Sequence, residues 1–123
     1  MARASAAAEN AALNGMAGVG STNVMTHVSL HSADPGTTGA SENANTGSYA
    51  RQACSWNAAS AGAMTNATAL TFATSGTIAV THIGTWNSAV YAGGTYAIGA
   101  PLGASVTATS ITVASGAISF SAS

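Results

Sequence analysis

The run from Thr77 to Trp86 constrains this chain more than any other stretch. Ile78, Val80, His82, Gly84 and Trp86 share one side of a period-two alternation, while Ala79, Thr81, Ile83 and Thr85 share the other. Apolar residues on both sides predict a central strand covered on both faces. The rest of the domain has to supply its neighbours and its covering layers.

Those neighbours are legible as shorter runs separated by turn chemistry. Val28 and Leu30 point one way while His27, Ser29 and His31 point the other, which predicts a half-buried strand. Asp34-Pro35-Gly36 follows as a rigid turn: Asp bonds its own backbone, Pro fixes φ, and Gly supplies a positive φ. Thr37 to Gly47 has no periodicity and is expected to be a long surface loop, mobile or used for contacts. A second strand is expected over Ser48–Trp56, where Tyr49, Arg51, Ala53 and Ser55 alternate with Ala50, Gln52, Cys54 and Trp56. Leu70 and Phe72 mark a third after the turn-prone Ala61-Gly62, and Gly76 introduces the central run. Gly93-Gly94 predicts a hairpin turn. Thr95–Ile98, a break at Gly99–Gly103, Ser105–Val113 and Ala117–Phe120 complete the series, with Pro101 marking an edge or a bend.

Ahead of the strands, Ala4 to Met16 is Ala-rich and predicts a short helix, capped by Ser5 and stopped by Gly15, Gly18 and Gly20. Such a helix is marginal alone, so it docks on its own domain or inserts into a neighbouring subunit. Gly18 to Asn23 is a linker. Seven or eight short strands with turns every 8–12 residues predict an all-β, antiparallel sandwich or jelly roll in one domain, 1–123, with the helix at 4–16 and the sandwich at 24–123.

Composition decides which partners such a domain can have. Only Arg3, Glu9, Asp34, Glu42 and Arg51 are charged, 4% of the chain, against about 25% in an ordinary domain. A free monomer so poor in charge tends to associate, so burial against copies of itself or partners is expected. A net charge of −1 argues against nucleic acid, which needs clustered cations, and against polybasic membrane attachment. No run is apolar enough for a membrane span, and no secretory signal is readable, so the chain is expected to be made and assembled in the cytoplasm. Cys54 cannot form an internal disulfide and is expected to be a buried small hydrophobe.

No constellation for catalysis emerges. His27 and His31 are four apart, which in a strand separates them by about 13 Å, and His82 has no acidic or Cys ligand nearby in sequence. All three are expected to be structural, with no metal and no cofactor. No Gly-x-Ser-x-Gly elbow marks a nucleophile, and Asp34 belongs to a turn. Glu9, Asp34 and Glu42 offer no spaced carboxylate pair. The chain is therefore expected not to be an enzyme. Arg51, flanked by Tyr49 and Trp56, should find Glu42 or Asp34, either to fix the Thr37–Gly47 loop within the chain or to join two subunits. A sequon at Asn66-Ala67-Thr68 matters only in a secreted eukaryotic chain.

The run His27-Val28-Ser29-Leu30-His31-Ser32-Ala33-Asp34-Pro35-Gly36-Thr37-Thr38-Gly39 is similar to one found in small virion proteins of tailed bacteriophages, described as tail-fibre-like, minor tail or structural proteins. Ser48-Tyr49-Ala50-Arg51-Gln52-Ala53 with Trp56, Ala69-Leu70-Thr71-Phe72, Val80-Thr81-His82-Ile83-Gly84-Thr85-Trp86, Gly94-Thr95 and Gly116-Ala117-Ile118-Ser119-Phe120 resemble that family in the same order. The chain departs from it at Ser32, where Thr is expected, and in its lower charge. The resemblance implies a β-sandwich virion component and supplies no catalytic residues. The leading expectation is an oligomeric decoration or minor capsid protein on the particle's exterior, binding at symmetry points of the shell as a trimer and contacting the major capsid protein. The alternative is a tail-fibre-like or minor tail protein contacting other tail proteins and binding host carbohydrate, with Trp56, Trp86, Tyr91 and Tyr96 available to stack on sugars. Asp34, Glu42, Arg51, Trp56, His82 and Trp86 are the candidate structural or interface residues.

Overall fold

The computed structural model describes residues 5–18, 23–43, 49–91 and 93–121. Along these run α1 (Ala6–Ala17), β1 (His27–His31), β2 (Gln52–Ala53), β3 (Ala63–Thr65), β4 (Leu70–Trp86), β5 (Tyr96–Val113) and β6 (Ser119–Ser121). All pairing is antiparallel, in a four-stranded sheet of order β2-β1-β4-β5 and a two-stranded sheet β3-β6. This is an all-β, sandwich-like fold with one short N-terminal helix.

β4 is the central strand that its two apolar faces predict. Its last residues, His82–Trp86, pair with β1 on one side, while its whole length runs along β5 on the other. Ile118, just before β6, and Phe120 within it join Leu70, Phe72, Ile111 and Val113 in the core. Val28, Leu30, Tyr49, Cys54, Val80, Ile83 and Ala100 continue that core under β1. Cys54 is buried there, as a small hydrophobe should be, and burial pushes its thiol pKa up.

The expected breaks at Gly76 and at Gly99–Gly103 do not occur. β4 and β5 continue through them as strands of 17 and 18 residues with irregular register. Residues 74–77 of β4 lie between the Ala73–Ser110 and Ile78–Ala108 pairs, and residues 102–105 of β5 lie between Val80–Val106 and His82–Pro101. Bulges let a ladder absorb extra residues without ending, so glycines that look like breaks become kinks. At a third irregularity, Thr85 Oγ1 donates to the Ile98 carbonyl (2.7 Å) and accepts from the Ile98 N–H (3.1 Å), standing in for the ladder bonds lost there. Gly94, at φ +74°, closes the hairpin.

α1 runs through Gly15 and stops at Gly18, whose φ of +72° is the left-handed conformation that ends helices. Ser5 Oγ caps it by accepting the Ala8 N–H at 3.2 Å. The Ser5 N–H donates to the Ala97 carbonyl at 2.7 Å, tying the helix to the start of β5 on its own domain. Most of the Gly18–Asn23 linker lies outside the described residues. The second strand is far shorter than Ser48–Trp56: Tyr49 and Arg51 are buried, then Cys54, so the alternation slips and only Gln52–Ala53 pair with β1.

Candidate functional site

Two of the five charged side chains meet inside the molecule. Arg51 Nη2 donates to Glu42 Oε1 at 2.8 Å and Nε to Glu42 Oε2 at 3.0 Å, a two-pronged pair whose side chains are 0% and 6% exposed. Arg51 Nη1 donates to the carbonyls of Ser88 and Gly93, both at 3.1 Å. The guanidinium carbon lies 3.8 Å from the centre of the Trp86 ring, so the cation also rests on an aromatic face. Tyr49 Oη donates to Glu42 Oε2 at 2.9 Å and accepts the Leu30 N–H at 3.2 Å. Desolvation raises the Tyr49 pKa, and the adjacent carboxylate adds to that, so the phenol stays a proton donor.

Glu42 reaches this position because the segment after β1 doubles back. Ser32 N–H donates to the Ser41 carbonyl (3.1 Å) and Asn43 N–H to the Leu30 carbonyl (2.8 Å), bridging Glu42 to His31. The first part of the expected surface loop is therefore a cover over β1, and residues 44–47 lie outside the described residues. Asp34 does what its turn predicts: its Oδ1 accepts the Gly36 N–H at 2.8 Å, and it stays exposed, away from Arg51. Arg51 thus forms an intrachain loop-to-strand pair. The aromatic that stacks on it is Trp86 rather than the sequence-adjacent Trp56.

β1 departs from the expected half-buried strand, because Ser29 and His31 are as buried as Val28 and Leu30. Their polarity is satisfied by a closed hydrogen-bond chain. Trp86 Nε1–H donates to Ser29 Oγ (2.7 Å), Ser29 Oγ–H donates to His31 Nε2 (2.6 Å), and His31 Nδ1–H donates to the Ala40 carbonyl (2.7 Å). A carbonyl only accepts, so Nδ1 carries a proton, and in the neutral ring that burial favours Nε2 accepts from the Ser29 hydroxyl. Burial lowers the His31 pKa below 6.5, more than the Ala40 bond raises it. Gly84 faces this chain: a Cβ there would lie 2.6 Å from His31 Nε2 and 2.9 Å from Ser29 Oγ.

His82 sits opposite His31 in register, with its Nδ1 bonded to the Thr81 hydroxyl at 2.8 Å. Among the described residues, no three His, Cys, Asp or Glu side chains converge to hold a metal. The four aromatics available for sugar stacking are not assembled into one patch. Trp86 and Tyr96 are buried edge to face at 5.3 Å, and half-buried Trp56 leans on Phe120 at 5.5 Å while donating to the Met25 carbonyl at 2.8 Å. Tyr91 alone of the four is exposed, beside Val90, at the tip of the β4–β5 hairpin that Arg51 holds.

The sequence marks Asn66 only as a sequon, yet it is a structural knot. Its Nδ2 donates to the carbonyls of Thr68 (2.9 Å) and Ala114 (3.0 Å), and its Oδ1 accepts the Ile118 N–H (2.9 Å). Fully buried, it fastens the β3–β4 turn to the β5–β6 turn and leaves no nitrogen for a glycan.

The buried Arg51, Glu42, Tyr49 and His31 side chains each fasten one segment to another, the pattern of a structural module. The particular family is that of the Podophage GP4 fiber I protein gp80, which matches residues 3–121, and the chain belongs to it. It is therefore a phage tail-fibre-like structural protein, a component of the virion. No curated protein matches the chain.

Proposed function

We propose that this chain is a non-enzymatic subunit of a podophage fibre, a rigid building block on the outside of the particle that associates with copies of itself and with other tail proteins. The family match over residues 3–121 carries this reading and favours a fibre over decoration of the capsid shell. The engagement of Arg51, Glu42, Tyr49 and His31 in one another and in backbone groups supports a mechanical role rather than a chemical one. Electron cryo-microscopy of the particle, reconstructed without assuming a location, tests it. Density for this fold along fibres is the expected result, and density repeated at lattice points of the shell overturns it.

Contact with the host surface falls to the β4–β5 tip in this reading. Val90 and Tyr91 are 65% and 37% exposed on a loop fixed from inside by Arg51. A pre-organised loop loses little entropy on binding, and an exposed Tyr offers a ring face to a neutral sugar.

A further inference from the structure

β5 is an edge strand: β4 covers one side of it, and among the described residues no strand pairs with the other. The two halves of that edge differ. In the first half, the outward carbonyl of Ala97 is already bonded to Ser5, Pro101 has no N–H to offer, and residues 102–105 bulge. In the second half, Val106 to Val113, the irregularity in register falls on β4, so β5 continues without a bulge of its own.

That second half reads Val-Thr-Ala-Thr-Ser-Ile-Thr-Val. It is rich in β-branched residues and contains no charge, no Gly and no Pro, the composition of a segment that pairs readily with another strand. Natural edges are protected by Lys, by Pro, by bulges or by a covering element. Residues 106–113 carry none of the first three, and α1 is tied to the opposite end of the strand at Ala97.

We propose that residues 106–113 of β5 pair antiparallel with the same residues of a second copy of this chain, joining two four-stranded sheets edge to edge. This rests on the fibre reading and supplies its subunit contact. A second copy fits the edge because an antiparallel pairing of identical segments about a two-fold axis matches them in length and excludes both Pro101 regions. A charged partner would find nothing complementary, since the segment and Thr71, the exposed β4 residue opposite its Thr112, are uncharged.

Sedimentation velocity on three proteins tests the pairing. Thr112 and Thr71 are exposed partners on β5 and β4, their hydroxyls 3.5 Å apart, so Thr112→Lys places a charge on the edge strand and Thr71→Lys places it one strand inward. The native chain should self-associate at micromolar concentration, Thr112→Lys should weaken that by roughly tenfold or more, and Thr71→Lys should leave it nearly unchanged. Hydrogen exchange on the native chain gives a second readout that needs no variant: amides of residues 106–113 should slow as concentration rises. A monomeric native chain, equal weakening by both lysines, or concentration-independent exchange overturns the proposal. Microscopy that places the chain on the shell while the edge still pairs would remove the fibre reading alone. A fibre-located chain whose association ignores Thr112→Lys would remove the edge pairing alone.

Discussion

Arg51→Ala is the substitution that most directly tests how this domain is held together. It leaves the Glu42 carboxylate, 6% exposed, with Tyr49 as its remaining donor in the cluster. It also removes the donors to the Ser88 and Gly93 carbonyls and uncovers the Trp86 face. Removing one partner of a buried ion pair costs about 3–5 kcal/mol, because the other charge stays buried without compensation. The cation–π contact and the carbonyl bonds belong to the same side chain, so their separate values overlap with that figure rather than add to it. At a urea slope of about 1.5 kcal/mol per molar, the unfolding midpoint should fall by roughly 2–3 M. Replacing both partners, Arg51→Met with Glu42→Gln, should cost less than Arg51→Ala alone, since no charge is then stranded. Chemical denaturation followed by Trp fluorescence measures both, with the exposed Glu9→Ala as reference. If Arg51→Ala shifts stability by no more than the ~0.5 kcal/mol of an ordinary surface change, the pair is not what fixes the loop.

Stability should fall as pH drops below about 6.5, by up to ~1.4 kcal/mol per pH unit, because the unfolded chain protonates His31 near 6.5 while burial keeps the folded ring neutral. The loss levels off below the folded pKa, and His31→Gln should flatten that part of a denaturation-against-pH curve. Gly84→Ala should cost about 1–3 kcal/mol through collision with His31 and Ser29, read as a lower melting temperature, and a neutral result would refute the packing seen there. Asn66→Ala should destabilise by about 3 kcal/mol, since it unsatisfies three backbone groups in two turns, and its denaturant midpoint is the check. Tyr91→Ser should leave the melting temperature unchanged and reduce adsorption of particles to cells, and unaltered adsorption would remove the tip from host contact.

How far the sequence could be read depended on whether each signal was local. The Asp34-Pro35-Gly36 turn, the Ser5 cap, the hairpin at Gly94 and the central position of β4 each follow from a few adjacent residues, and each is present. The choice of Glu42 over Asp34 as the Arg51 partner required knowing that the 32–43 segment folds back over β1. The burial of Ser29 and His31 had no local signal either, since a polar alternation looks solvent-facing until Trp86, 57 residues later, supplies a donor. β3 carries no legible signal, because Ala63–Thr65 is too short for a period and its pairing with β6 is specified by the distant residues Ile118 and Phe120. The breaks expected at Gly76 and at Gly99–Gly103 fail for the opposite reason: the local breaking tendency is real, but a long antiparallel ladder absorbs it as bulges, while Pro101 does mark an edge strand.

The same distribution of charge that fixes the interior also sets the terms on which copies of this chain can meet. Arg51 and Glu42 cancel each other inside, and the other charged side chains among the described residues, Glu9 and Asp34, are exposed acids. The described surface therefore has no lysine or arginine to offer an acidic partner and few charges to repel an identical one. Cohesion between such subunits has to come from backbone pairing and apolar contact, neither of which depends on counterions. Ionic strength screens exposed charges strongly and strand pairing hardly at all. An assembly joined through residues 106–113 would consequently hold in dilute and salty surroundings alike, whereas one joined by ion pairs would loosen as salt rises.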